Sequence, residues 1–162
     1  MVDVRVPDGN PLRWELSADS EALCWSAGNP TAFVASSEDG MVVALDARGG
    51  AGSSPLYRLA AHEKPTTCLG FCPAVPNLLM TASVDKQVKL WDVSNNQPGL
   101  VASEAINAGA IFAATFCGPD FPFLIAAGGD KGSLVVWDTL AVPAVAKRCT
   151  GAARPKVYES QE

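Results

Sequence analysis

The residue types that could do chemistry gather in the middle of this 162-residue chain. His62, the only histidine, is followed by Thr81, Ser83, Asp85 and Trp91. A histidine, a carboxylate and a hydroxyl are the parts of a base-activated nucleophile. Cys68 and Cys72, four residues apart, have the spacing of half a metal knuckle. The neighbours argue against both chemistries. There is no GxSxG, the strained turn that presents a serine nucleophile. Zinc needs about four N/S ligands, and the chain has no second close cysteine pair to join its one histidine. Catalytic, metal and cofactor residues are therefore expected to be none. The five cysteines (Cys24, Cys68, Cys72, Cys117 and Cys149) are odd in number and read as reduced, buried core thiols.

The elements that must position these residues are strands. LLMTASVDKQVKLWD (78–92) is an apolar run, a tight turn at Asp85-Lys86, and a second run closing on Trp91-Asp92. Two short strands joined by such a turn form a β-hairpin. The design recurs in FVASSEDGMVVALD (33–46) and FLIAAGGDKGSLVVWD (123–138). Leu45, Trp91 and Trp137 stand 46 residues apart, a repeat period of propeller architectures.

The pattern predicts about a dozen short strands. They lie near 12–16, 22–25, 33–36, 41–45, 56–59, 67–71, 78–82, 88–91, 100–103, 111–116, 123–127 and 134–137. They divide into repeats over 12–46, 55–92 and 99–138, after a loop at 1–11. Residues 141–162 read as a flexible, partly basic tail in which AVPAVAKR (141–148) suits an edge strand or half a helix equally. The expected fold is all-β, with three four-stranded blades of a larger, about seven-bladed propeller. Three blades alone leave an apolar face uncovered at each end. The chain therefore also reads as the C-terminal part of a longer protein or a truncated one.

In such blades a tryptophan N–H donates to a Ser/Thr, which meets a histidine from the entry loop, which meets the turn aspartate. The middle repeat has all four as His62, Thr81 (or Ser83), Asp85 and Trp91, and the set reads as structural. The first repeat keeps Asp39 and Asp46 but has Leu45 and Ala35 in place of tryptophan and hydroxyl. The third keeps Asp130, Trp137 and Asp138 without a histidine. Asp92 closes the dipeptide of the middle repeat.

Composition agrees with a folded domain: 48% apolar, 18% charged, net charge −5. That charge argues against strong direct nucleic-acid binding. The turns Glu38-Asp39, Asp85-Lys86 and Asp130-Lys131 are expected to offer acidic or mixed charge to basic protein surfaces. No membrane span or secretory signal is legible.

SSEDGMVVALDAR, TASVDKQVKLWDV and PDFPFLIAAGGDKGSLVVWD resemble the last three repeats of the periodic tryptophan protein 1 family of Trp-Asp (WD) repeat proteins. The resemblance spans roughly residues 12–140. It implies a non-enzymatic interaction scaffold in ribosome biogenesis and pre-ribosomal RNA processing. It further implies residence in the nucleus and nucleolus, with pre-ribosomal or chromatin proteins as partners. The repeats alone would equally allow an adaptor for histones or ubiquitin-ligase substrates.

Overall fold

A computed structural model describes residues 12–50 and 52–149. The loop expected at 1–11 and the tail beyond Cys149, with Arg154 and Lys156, lie outside the described residues. Three antiparallel sheets follow in chain order. The first is β1 (Ser20–Trp25), β2 (Ala32–Ser37), β3 (Met41–Asp46) and β4 (Tyr57–Ala60). The second is β5 (Thr66–Phe71), β6 (Leu78–Ser83), β7 (Gln87–Asp92) and β8 (Gly99–Ala105). The third is β9 (Ile111–Phe116), β10 (Leu124–Gly129) and β11 (Leu134–Asp138). The sheets stack face to face as propeller blades, with β1, β5 and β9 side by side on the inner edge.

Sheets and sequence repeats are out of phase by one strand. The strand expected to open the third repeat is β8, which pairs with β7, and β4 likewise pairs with β3. The third blade therefore has three strands among the described residues, where four were expected. The second and third repeats thus each begin on one blade and end on the next, which ties neighbouring blades together covalently. The strand expected at 12–16 does not form. Its alternation is real, but the segment pairs with no strand, and Trp14 instead packs edge-on against Phe33 at 5.2 Å.

Packing explains the hydrophobic patterns. β6 is buried along its whole length because its sheet has a neighbour on both faces. One face puts Leu79 and Trp91 against Val34, Val42 and Ala44 of the first blade. The other puts Met80, Val88 and Leu90 against Ile111, Ile125 and Ala127 of the third. A strand covered on both sides has no polar face to show, hence the run LLM. β11, covered on one side only, alternates strictly between half-buried and exposed. Four cysteines are at least partly buried, as expected of core thiols, and burial pushes their thiol pKa values up. Cys117 departs from that expectation. It lies just past β9 and is exposed.

The segment at 141–148 resolves as a helix. α1 (Pro143–Arg148) starts on proline, whose fixed φ suits a first helical position, and buries Val145 completely in the second core. Arg148 forms an ion pair with Asp92. Residues 143–149 are thus docked, in contrast to the flexible tail expected there.

The tight turns joining β2 to β3, β6 to β7 and β10 to β11 share one backbone device. Gly40, Lys86 and Gly132 all adopt positive φ, at 82°, 75° and 68°. Each donates its N–H three residues back, to Ser37, Ser83 and Gly129. A type I turn closed by a left-handed residue matches strand twist, and glycine meets it without steric cost. Lysine does not. Lys86→Gly should therefore raise the denaturant midpoint, worth about 0.5–1 kcal/mol, as a left-handed cost of ~1–2 kcal/mol is relieved against glycine's greater unfolded freedom. An unchanged or lower midpoint would show that Lys86 makes contacts worth its strain.

Candidate functional site

His62 arrives just past β4, so it is carried by the first blade, and it inserts into the second. Its Nδ1 lies 2.8 Å from Asp85 Oδ2 and its Nε2 lies 2.8 Å from Thr81 Oγ1. Trp91 Nε1 donates to the same Thr81 oxygen at 2.9 Å. The structure thus brings His62, Thr81, Asp85 and Trp91 into one chain of hydrogen bonds. Ser83, the alternative hydroxyl, instead donates to Lys64 O and accepts from Asp85 N–H.

Proton positions follow from the partners. A carboxylate only accepts, so Nδ1–H donates to Asp85. Thr81 accepts from Trp91 and turns its own O–H to Nε2, which must then be bare. Every donor finds an acceptor only while His62 is neutral. Burial, with the imidazole fully enclosed, pushes its pKa below the ordinary 6.5 despite the opposing pull of Asp85. The chemical consequence is decisive for function. The Thr81 hydroxyl is wholly buried and already takes part in two hydrogen bonds, so no substrate carbonyl can reach it. The constellation staples two blades.

Other side chains staple the same seam. Lys89 Nζ donates to Ala61 O at 2.8 Å, Ser36 to Thr66 O at 2.6 Å, and Thr66 to Gly40 O at 3.2 Å. Between the second and third blades, Thr67 donates to Ile111 O at 2.6 Å.

The flanking repeats solve the turn tie differently. Register aligns Leu45, Trp91 and Trp137, each opposite the same position of the middle strand, at Phe33, Leu79 and Ile125. Counting back from there, Asp39 matches Asp85, but the third blade has Lys131 at that place. Asp130 falls one residue earlier, where Val84 stands. In the first blade Asp39 accepts from Ser17 and Ser37, which hold its carboxyl below the usual range. In the third, Lys131 Nζ reaches Asn107 Oδ1 at 2.9 Å, while Asp130 accepts from Ala110 N–H. The expectation that Asp130 repeats the role of Asp85 is therefore corrected. The turn charge does stand at the surface, as expected: Glu38, Asp39, Lys86, Asp130 and Lys131 are exposed, and only Asp85 is half-buried, in its bond to His62.

The closing aspartates share a role that sequence reasoning missed. Asp46, Asp92 and Asp138 each accept the backbone N–H two residues on, from Arg48, Ser94 and Leu140. This is the Asx turn, in which a carboxylate substitutes for a backbone carbonyl and bends the chain off the strand. Arg48 also grips Asp46 through its guanidinium, holding that carboxyl down at about 2. The signal present in the sequence was an aspartate closing the last apolar strand of all three repeats.

Among the described residues no three His, Cys, Asp or Glu side chains are placed to hold a metal ion. No described helix is long and apolar enough to cross a membrane. The inner strands border an apolar depression of about 400 Å3, lined in part by Ala22, Cys68, Ala113 and Leu134.

Comparison with known proteins agrees with this geometry. Residues 53–92 match the family described as WD domain, G-beta repeat. The match covers β4 to β7, which is the segment holding all four members of the hydrogen-bonded chain. An uncharacterized WD repeat-containing protein of Schizosaccharomyces pombe is 34% identical over 138 residues, 85% of this chain and 26% of the relative. A periodic tryptophan protein 1 homolog of Drosophila melanogaster is 24% identical over 132 residues, 80% of this chain and 28% of the relative. The chain therefore spans about a quarter of the length of these curated relatives. With its 46-residue period, its stacked antiparallel blades and these likenesses, the chain belongs to the WD-repeat proteins.

Proposed function

We propose that the chain is a rigid, non-enzymatic protein-interaction scaffold that works in ribosome assembly in the nucleus, with the nucleolus as its principal site. The observation that carries the scaffold reading is where its reactive groups go. His62, Thr81, Asp85, Lys89 and Asp39 are all bonded across blade seams or within turns, so they fix geometry. A body held this way keeps surfaces at fixed separations, which suits docking several proteins. The ribosomal part is supported by the likeness to the periodic tryptophan protein 1 homolog, in line with the pre-ribosomal RNA processing role that the sequence resemblance implies. Net charge of −5 favours protein partners over direct phosphate contact, which depends on clustered Lys/Arg.

Depletion of the protein from cells is expected to leave unprocessed ribosomal RNA precursors. The protein should sediment with pre-ribosomal particles, and purified chain should bind RNA only weakly at physiological salt. Normal precursor processing after depletion would remove the ribosomal reading and leave a chromatin or ubiquitin-ligase adaptor in its place. Tight, salt-sensitive RNA binding by the purified chain would overturn protein docking as the mechanism.

A further inference from the structure

The two internal seams, first blade to second and second to third, are built on one register yet end differently. Ala32, Val34 and Ala44 of the first blade occupy the positions of Leu78, Met80 and Leu90 in the second. Val93 donates its N–H to Asn77 O just as Thr139 donates to Phe123 O, so Asn77 and Phe123 are counterparts too. After Thr139–Ala141 the chain continues into α1, which lies against β8. There Val145 is completely buried, in one cluster with Leu78, Met80, Leu90 and Phe123. An aliphatic side chain thus plugs the end of the seam between the second and third blades.

The seam between the first and second blades has no such plug. The connection after Val93 turns at Ser94–Asn96 and returns at once through Gln97-Pro98 to β8. Its walls are also smaller, with alanine at two places where the next seam has leucine. A cavity of about 100 Å3 is left, bordered by Ala32, Val34 and Ala44. Exposed Asn77, Asn95 and Asn96 and half-buried Tyr57 border it as well. None of these four side chains has a hydrogen-bond partner among the described residues. Asn95 and Asn96 also serve the backbone, since both take a φ of 57°, which asparagine tolerates. Asn77 has no positive φ to explain it. No described charged residue lines the cavity.

We propose that this cavity takes one small aliphatic side chain, valine in type, from an uncharged peptide segment of a partner protein. Val145 shows within the same molecule what fills a seam of this register. Val34 and Ala44 give an aliphatic group apolar surface to bury against. An asparagine amide both donates and accepts, as pairing with a peptide group requires. A charged side chain would find no counter-charge here and would lose its hydration. The inference rests on the scaffold reading and gives it a docking point.

The test is a magnetic resonance titration of the isotope-labelled 162-residue chain with the methylamides of N-acetylvaline, N-acetylglycine and N-acetyllysine. The valine probe should shift the side-chain amide signals of Asn77 and Asn95 saturably, with a Kd of about 1–10 mM for so small a ligand. The glycine and lysine probes should bind roughly tenfold more weakly or worse. Ala44→Leu, which installs the residue of the counterpart position Leu90, should fill the cavity and abolish the shifts. Asn77→Asp, at an exposed position, removes the donor half of one amide and should weaken binding roughly tenfold with folding unchanged by circular dichroism. Equal shifts with all three probes, no saturable shift, or valine binding untouched by both variants would overturn the proposal. So would through-space contacts in the free chain from residues 1–11 or 150–162 to Val34, which would make the occupant a segment of this chain. A failed titration leaves the outcome of the depletion experiment unchanged, so the docking point and the ribosomal role fail separately.

Discussion

Gly40→Ala should be the most damaging single-methyl addition in the chain, lowering stability by on the order of 3 kcal/mol. Two costs combine. Gly40 sits at a φ of 82°, where a Cβ is disfavoured by ~1–2 kcal/mol. A Cβ there would also lie 2.1 Å from His62 O, a backbone atom that cannot swing aside. Relief of that overlap must move the strand junction carrying His62, at roughly 1–3 kcal/mol for an overpacked site. Gly40 O is also the acceptor for the N–H groups of Ala61 and His62 and for the Thr66 hydroxyl, so the shift disturbs three bonds of the seam together. Gly132 is the control. It has the same backbone sign at the same turn position, yet a Cβ there meets nothing within 4 Å. Gly132→Ala should cost only the conformational part, about 1 kcal/mol. Urea unfolding midpoints of the two variants separate the contributions, and equal losses would show that the His62 clash is relieved without cost.

The strands were legible because turn chemistry brackets them. Asp-Gly and Asp-Lys turns, flanked by apolar runs closing on Trp-Asp or Leu-Asp, placed β2, β3, β6, β7, β10 and β11 to within about a residue or two. What was not legible depended on neighbours. The alternation of Leu12, Trp14 and Leu16 has strand period, but a strand exists only where a partner offers its edge. Trp14 is used instead to cover part of an exposed sheet face, at Phe33. The affiliation of β4 and β8 was hidden for a similar reason, since a sequence repeat says nothing about which sheet its first strand joins.

Asp130 shows a different kind of miss. Asp85 precedes Trp91 by six residues and Asp39 precedes Leu45 by six, while Asp130 precedes Trp137 by seven. The slip was countable in the sequence, but residue type drew the eye before register did. The four-membered chain through His62 was readable because every member sits at a position fixed by strand period. Its role between blades was not, because only the pairing of β4 with β3 assigns His62 to the first blade.

Thr81→Val should destabilise the protein more than its size suggests, by about 2–5 kcal/mol, and His62→Ala, which also leaves two partners unpaired, should destabilise it by a comparable amount. Valine keeps the volume and removes one oxygen. That oxygen serves two partners, so Trp91 Nε1–H loses its acceptor and His62 Nε2 its donor, both in a site closed to water. A buried group left unpaired costs ~1–3 kcal/mol, so two such losses exceed one. The double variant Thr81→Val with Trp91→Phe removes the orphaned N–H, and its loss should fall short of the sum of the single losses beyond the bulk of the lost ring, the mark of coupled sites. Because His62 is the only histidine, the same site predicts a pH dependence. Its folded pKa lies below its unfolded value of 6.5, so the unfolded chain binds the proton more readily. The His62 contribution is therefore fully present above about pH 6.5 and shrinks as pH falls below it, until the folded imidazole itself titrates. Between pH 7 and 5 wild-type stability should drop, and His62→Gln, which cannot titrate, should lose that slope. A wild-type slope of the opposite sign would mean that Asp85 holds the imidazole charged, and the neutral hydrogen-bonded chain would have to be redrawn.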